Sequence, residues 1–178
     1  MENINLNTVW EGCKVQDRHA QNLLYSYFSK KMFAVCMRYA QNTLEAEDIL
    51  QNGFVKIFTK QHLYTGEGSL EGWIKRIIIN TAIENYRKNK DKFTESIEEN
   101  LHDVFVSHVG TDQSSYKDLL VLIQQLPLGY RTVFNLYAIE GYSHREIAEM
   151  LEISEGNSKS QLARARQWLQ KKLLLQNV

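Results

Sequence analysis

A single proline, Pro127, interrupts a chain of 178 residues whose apolar side chains recur mostly at three- and four-residue spacing. Proline removes a backbone donor and kinks helices, so its scarcity leaves room for long uninterrupted helices. Only nine glycines are present, which argues against a turn-rich architecture of many short strands. The sequence therefore predicts an all-α fold.

Apolar spacing and capping residues predict where the first helices lie. Residues 23–28 and 32–39 are predicted as two short helices. Thr43 is predicted to cap a third helix, and the glycine-containing loop HLYTGEGS ends at Ser69, which is predicted to cap a long fourth one. The three isoleucines at 77–79 belong to that helix, because the residues around them repeat at helical spacing.

The C-terminal third carries further helix boundaries. Pro127 suits the first turn of a helix that ends before Gly141, a residue type common just beyond helix ends. Ser143 and Glu146 have the spacing of a capping box, and Ser154 is predicted to cap the last helix. The pattern therefore predicts two short helices followed by a long one.

Charge is unevenly distributed although the formal net charge is zero. Residues 30–90 carry net +4, residues 91–120 carry net −5, and residues 151–178 carry net +3. Two basic segments are compatible with binding a polyanion such as nucleic acid. Together with the loss of helical pattern after Lys88, the charges predict two small helical domains, 1–90 and 114–178.

The segment between these domains, 91–113, is polar, acidic and weakly periodic, so it is predicted to be a flexible linker. We hypothesise that the linker, or the other domain, shields the basic faces of the free protein. The start of the chain lacks a signal-peptide pattern and no segment is apolar enough to span a membrane, so a soluble cytoplasmic protein is expected.

No residue pattern in the sequence predicts catalysis, a metal or a cofactor. Cys13 and Cys36 form no C-x-x-C pair, so reduced thiols are expected. No glycine-rich phosphate loop follows a strand. The histidines are scattered and show no metal-binding spacing, although an enzyme would have to draw on them: they are His19, His62, His102, His108 and His144.

The last two predicted helices, joined by a tight turn, have the pattern of a helix-turn-helix. At about 100° per residue, the last helix has an inward stripe and an opposite face of small and polar residues. Asn157 and Arg164 suit base edges, Lys159 and Arg166 suit phosphates, and Ser160 keeps the face slim. The inward stripe consists of Ser158, Leu162, Ala165, Leu169 and Leu173.

The segment LPLGYRTVFNLYAIEGYSHREIAEMLEISEGNSKSQLARARQWL resembles the promoter −35-binding domain of extracytoplasmic function (ECF) sigma factors. AEDILQNGFVKIF resembles the polymerase-binding helix of that family, and SLEGWIKRIIINTAIENYRK resembles its −10 element-binding segment. Departures occur at positions where the family commonly has other residues, namely Asn52, Gly53, Asn157, Ser158 and Gln161. The resemblance implies a non-catalytic specificity subunit that binds core RNA polymerase and directs promoter recognition and −10 melting.

The resemblance also implies partners and roles. Core polymerase would bind through its β′ coiled coil and β flap, promoter DNA would bind both domains, and an anti-sigma factor, often membrane-anchored in the family, would hold the protein inactive. Asp48 and Gln51 share one helix side and are expected to contact polymerase together with Phe54, whose ring is either contact or core. The expected −10 contacts are Tyr64, Lys75, Arg76, Asn80, Arg87 and Lys88, and the expected −35 contacts are Asn157, Lys159, Ser160, Arg164 and Arg166.

Two other interpretations remain open at this point. A conventional regulator of the LuxR type would share the helix-turn-helix, but it would read duplex DNA without a single-strand site. An all-α adaptor would explain the fold but not the two basic faces. Trp73 likewise has two interpretations, as a stacking platform for a base or as a core anchor.

Overall fold

The computed structural model describes residues 5–94 and 121–176, and that part of the chain is helical with no strand. The all-α prediction is therefore confirmed. The chain divides into two compact units, Met1–Asn85 and Tyr86–Val178, each described by itself below. The acidic linker prediction falls outside the described residues from 95 onward, while its first four residues still belong to a helix.

The first unit is built from helices that begin at side-chain caps. Asn5 accepts from the backbone of Asn7 and Thr8, Asp17 accepts from His19, and Ser69 accepts from the Gly72 N–H at 3.0 Å. These caps satisfy N–H groups that have no partner inside the helix. The helices are α1 Leu6–Lys14, α2 Arg18–Tyr39, α3 Thr43–Thr59 and α4 Leu70–Thr94, with a 3₁₀ turn at Gln61–Leu63. Helix α4 begins in the first unit and continues past its last residue, Asn85.

Three details of the first unit differ from the sequence-based expectations. The two short helices predicted at 23–28 and 32–39 form one helix, α2, because the polar residues between them lie on its outer side while its buried residues continue without a break. The cap of α3 is Asn42, one residue before the predicted Thr43. Helix α1 was not predicted.

Close packing around Gly53 joins α3 to α4. A Cβ atom at Gly53 would overlap Ile78 Cδ1, and Ile78 has no exposed surface. A glycine inside a helix costs about 1 kcal/mol relative to alanine, so a close helix contact is the compensating gain. Other essentially unexposed residues of the first unit are Leu24, Phe28, Ile57 and Ile74.

The second unit contains the predicted short helices and one long one. Residues 121–124 are helical, α5 spans Leu128–Phe134 and continues as a π-helical turn over Asn135–Ile139, α6 spans His144–Leu151, and α7 spans Glu155–Gln176. Gly141 has a φ of 82° and Tyr142 N–H donates back to Leu136 O, which ends the α5 segment as predicted. Both halves of the Ser143–Glu146 capping box are present.

The core of the second unit packs α7 against the residues that precede Pro127. Tyr130, Phe134 and Trp168 cover it, and the buried Arg131 donates from Nη1 to Gln124 O at 2.9 Å. A buried arginine with this bond ties α5 to the preceding helical turn. The buried members of the cluster are Leu122, Ile123, Leu126, Ala165 and Leu169.

Three further findings concern the thiols, metal binding and membrane spanning in the described residues. Burial raises the pKa of Cys13 to about 11 and that of Cys36 to about 12, so both remain protonated thiols at neutral pH. Within 5–94 and 121–176, no three His, Cys, Asp or Glu side chains are placed to hold a metal ion. In the same ranges, no helix is long and apolar enough to cross a membrane.

Candidate nucleic-acid and protein interfaces

Helix α7 separates an apolar stripe from a polar face, as the periodicity predicted. Ser158, Leu162, Ala165 and Leu169 are buried. The predicted stripe is wrong at its last member, since Leu173 is 41% exposed. All predicted −35 contacts lie on the exposed side: Asn157, Lys159, Ser160, Arg164 and Arg166.

Neighbouring side chains orient the basic residues of this face. Arg164 Nη1 donates to Tyr130 Oη at 3.2 Å, and the Arg166 guanidinium lies 5.7 Å from the ring centre of Tyr137. Lys159 Nζ is 3.5 Å from Glu155 Oε2 in an exposed ion pair, a kind that contributes little stability. Tyr130 on α5 and Tyr137 on the π-helical turn that follows it thus orient the side chains of Arg164 and Arg166 on the surface of α7.

Beneath this face, His144 connects α6 to α7. Its Nδ1 lies 2.9 Å from Oγ of the fully buried Ser158, and its ring stacks on Tyr137 with 4.6 Å between ring centres. Desolvation lowers the pKa of His144, the charges of Lys159 and Arg166 lower it further, and Glu155 opposes them. The lowered pKa favours the neutral imidazole.

Helix α4 carries the predicted −10 contacts on more than one side. Arg76 and Asn80 are exposed and Arg87 is half-buried, and at about 100° per residue these three share one face. Lys75 is half-buried and Lys88 is exposed, and both lie to the sides of that face. The helix thus presents a line of polar and basic side chains rather than a single cluster.

Tyr64 belongs to an aromatic cluster that supports the loop before α4. Its ring centre lies 5.6 Å from Trp10 and 5.5 Å from Trp73, and its hydroxyl donates to Gly68 O at 3.0 Å. Gly66 has a φ of 86°, a conformation that glycine adopts most readily. Trp73 is half-buried within this cluster, which favours the core-anchor interpretation over that of an open stacking platform.

A cleft of about 230 Å³ opens between this loop and α1. On the same measure one water molecule takes roughly 10–15 Å³, so the cleft holds several water molecules and has the size for a small ring. Gln61 Nε2 donates to Lys14 O at 3.1 Å and fastens the loop to the end of α1. The cleft is lined by Asn7, Trp10, Glu11, Lys14, Tyr64, Thr65 and Gly66.

Sequence reasoning missed the α1 wall of this cleft. Leu6, Trp10 and Cys13 have the spacing of a helix face, a signal that was available in the sequence. The contact of Trp10 with Trp73 joins residues 63 positions apart in the chain, and local spacing carries no information on such a pair. The helix was predictable, but its position beside the loop was not.

Helix α3 presents an exposed polar stripe with an apolar residue at each end. Asp48 and Gln51 are exposed and lie on one side of the helix, as predicted. Leu44 is 74% exposed and Val55 is 60% exposed. At about 100° per residue, all four fall on the same face. A face that combines exposed apolar side chains with hydrogen-bonding groups has the composition of a protein interaction site.

Phe54 packs in the core and does not extend this face. It is 3% exposed, and its ring lies edge-on to Tyr25 with 4.7 Å between ring centres. A direct contact from Phe54 to a partner is therefore disfavoured, because the core already covers its side chain. Beside α3, a groove of about 390 Å³ is lined by Tyr25, Ser29, Lys30, Phe33, Glu47, Leu50 and Gln51.

Comparison with known proteins identifies both units. The Sigma-70 region 2 family matches residues 24–92, and the family described as Sigma-70, region 4 matches residues 116–169. The ECF RNA polymerase sigma factor SigW of Bacillus subtilis is 30% identical over 174 residues, which cover 90% of this chain and 92% of SigW. The chain belongs to the ECF sigma factor family.

Other similar proteins agree with this assignment. The ECF RNA polymerase sigma-E factor of Haemophilus influenzae is 29% identical over 170 residues, covering 88% of this chain and 89% of that protein. The sigma factor RpoE of Bartonella quintana, solved in complex with the anti-sigma factor NepR, has the same fold, with a TM-score of 0.55, 21% identity, and coverage of 85% of this chain and 95% of that one. The protein is an alternative sigma factor that directs promoter recognition in transcription initiation.

Proposed function

We propose that this ECF sigma factor binds core RNA polymerase through the exposed face of α3, reads the −35 element with α7, and captures −10 bases with α4 and the loop before it. The observation that carries the proposal is α7, whose slim polar face stays exposed while its opposite stripe is buried. The protein performs no bond chemistry in this role, because promoter opening requires only capture of unstacked bases.

Run-off transcription with core polymerase and a genomic promoter library tests the proposal directly. We expect specific transcripts only when both the sigma factor and core polymerase are present. A regulator of the helix-turn-helix type would instead bind duplex DNA without polymerase and add no transcripts to core alone. That second result would contradict the proposal.

The polymerase contact is assigned to α3 because of its mixed character. Asp48 and Gln51 offer a carboxylate and an amide, and Leu44 and Val55 place apolar surface on either side of them. Interfaces commonly combine a few apolar anchors with oriented hydrogen-bonding groups. By family resemblance the partner of this face is the β′ coiled coil, while the β flap would contact the second unit.

Val55→Asp tests this face without disturbing the core. We expect core polymerase to bind the variant roughly tenfold more weakly or worse, because a desolvated carboxylate replaces an apolar contact of at least about 1.4 kcal/mol. Binding is measured by fluorescence anisotropy with labelled full-length protein. Val15 is 77% exposed and outside the α3 face, so Val15→Asp is the matched control and should bind normally. Equal affinities of both variants would exclude α3 as the contact.

The −10 role is supported by two features, the cleft of the first unit and one face of α4. The cleft beside Tyr64 has room for one ring, and Arg76, Asn80 and Arg87 form a line of side chains suited to a single DNA strand. Tyr64 acts as a wall of the cleft, since Trp10 and Trp73 already pack against its ring. Lys75 and Lys88 add positive charge to either side of that line.

Arg164→Ala tests base readout by α7. We expect it to cost about 1–3 kcal/mol at one position of the −35 element, because arginine binds a guanine edge through paired hydrogen bonds. Lys159→Ala should weaken binding to all sequences similarly, since a phosphate contact carries no sequence information. Affinities on −35 variants are measured with the polymerase complex. If Arg164→Ala lowered the affinity for all −35 variants equally, Arg164 would be assigned to the DNA backbone and not to a base.

An anti-sigma factor is part of the proposal. Its support is the sigma factor RpoE of Bartonella quintana, whose structure contains the anti-sigma factor NepR. Such a partner would act by covering the surfaces that polymerase and DNA require. Affinity capture of partners from native extract with the full chain is the measurement, and competition with core polymerase is the expected behaviour of the captured protein.

A further inference from the structure

The hydrogen bond between His144 and Ser158 determines which ring nitrogen of a neutral His144 carries the hydrogen. Ser158 has no exposed surface, and His144 Nδ1 at 2.9 Å is the hydrogen-bond partner of its Oγ among the described residues. A buried hydroxyl hydrogen without an acceptor is costly. The arrangement with all groups satisfied has Ser158 Oγ–H donating to Nδ1, which places the ring hydrogen of a neutral His144 on Nε2.

The Nε2 atom of His144 is not fully buried. The Nε2 atom has no hydrogen-bond partner in the described part of the chain. It is not one of the fully buried polar atoms there that lack a partner. The ring cannot turn away easily, because it is stacked on Tyr137 at an interplanar angle of 22° and bonded to Ser158 on its other nitrogen. The chain therefore presents one N–H donor in a fixed direction.

Two cations of α7 lie near His144. Desolvation is the largest cause of its lowered pKa, the charges of Lys159 and Arg166 lower it further, and Glu155 opposes them in part. Arg166 also lies over Tyr137, the ring on which His144 stacks. A fixed N–H donor close to two cations suits an oxygen of the DNA backbone, which is anionic and accepts hydrogen bonds.

We propose that His144 binds a DNA phosphate beside the −35 element through Nε2–H, and that Ser158 fixes the tautomer which makes this possible. His144 is the binding residue and Ser158 is its positioning residue. The inference rests on the proposed role of α7 in −35 recognition. A valine at position 158 could not take this role, because valine has no hydrogen to donate to Nδ1.

Two isosteric replacements at position 144 separate the two nitrogens. The amide of asparagine reaches the place of Nδ1 and can keep the Ser158 bond, whereas the amide of glutamine reaches the place of Nε2 and can still donate to a phosphate. We expect His144→Asn to weaken binding of the full-length protein with core polymerase to −35 duplex DNA roughly tenfold, equally on cognate and scrambled elements. His144→Gln should retain most of the affinity.

A double-mutant cycle tests the role of Ser158. Ser158→Ala should weaken DNA binding roughly threefold or more in the wild-type background, because the ring hydrogen then divides between both nitrogens. It should have no further effect in the His144→Gln background, since an amide has no tautomer to fix. Equal effects in both backgrounds would show that Ser158 acts only through packing and would overturn its positioning role.

The tautomer of His144 and the salt dependence of DNA binding test the inference even if a variant folds poorly. Nitrogen-15 NMR of the unmodified chain should show His144 as the Nε2–H tautomer; the Nδ1–H tautomer would overturn the proposal. The salt dependence of binding should keep its slope in His144→Asn but become shallower in Lys159→Ala, because a neutral donor releases no counterion. Loss of −35 discrimination in Arg164→Ala with unchanged His144→Asn affinity would refute this inference alone, and no effect of either would refute the proposed −35 role.

Discussion

Gly53→Val is expected to destabilise the first unit by about 3 kcal/mol or more, the upper part of the range for overpacked cores. A Cβ at this position already overlaps Ile78 Cδ1, and valine adds two methyl groups where Ile78 is fully buried. For a unit of this size such a loss lowers the melting temperature by more than about 10 °C. The measurement is thermal and denaturant unfolding followed by circular dichroism, with hydrogen exchange of α3 and α4 peptides to localise the effect.

The control for this prediction is valine at a glycine with open surroundings. A Cβ at Gly156 would meet only Ser154 Oγ, at 3.9 Å, so Gly156→Val should leave stability unchanged or raise it slightly through helix propensity. Adding Ile78→Ala to Gly53→Val should cost less than the sum of the two single changes, because the smaller side chain relieves the overlap. Strictly additive losses would show that the two residues do not compete for the same space.

Trp10→Ala is the second change with a large expected effect, about 3–5 kcal/mol of unfolding free energy. Trp10 is 4% exposed and packs edge-on against both Tyr64 and Trp73, so its loss leaves a cavity and removes two aromatic contacts. The same change removes a wall of the cleft proposed for a −10 base. We therefore expect hydrogen exchange of the 61–69 loop to rise and promoter opening to fail.

Trp10→Phe is the matched variant, because it keeps an aromatic ring in the cluster. Trp10 Nε1 is buried and has no hydrogen-bond partner in the described residues, so phenylalanine gives up no hydrogen bond. We expect it to cost less than half as much as alanine and to preserve most of the promoter opening, measured by permanganate reactivity of the melted strand. A loss equal to that of alanine would assign the indole N–H a role that packing does not explain.

The sequence predicted what depends on local spacing and local capping. The capping box at Ser143, the glycine that ends the α5 segment at Gly141 and the inward position of Ser158 are all confirmed, because each follows from residues within a few positions along one helix. The recognition face of α7 was predictable for the same reason. Its role at the −35 element stays a prediction.

The features that the sequence did not predict depend on contacts between distant parts of the chain. Helical spacing allowed a core position for Phe54, but it carried no information on Tyr25, the ring against which Phe54 packs. It also predicted a break within α2 that does not occur, since two lysines and a serine interrupt an apolar pattern without ending a helix. The bond between His144 and Ser158 depends on how α6 crosses α7, which neither helix encodes alone.

The hydrogen bond from Arg164 to Tyr130 has a consequence for the thermodynamics of promoter binding. An arginine free in solvent loses up to about 2 kcal/mol of side-chain entropy when a ligand immobilises it. Tyr130 restricts the rotamers of Arg164 before DNA arrives, so part of that entropy is already lost when the chain folds. Folding therefore restricts the side chain of Arg164 in advance, and promoter binding costs correspondingly less side-chain entropy at this position.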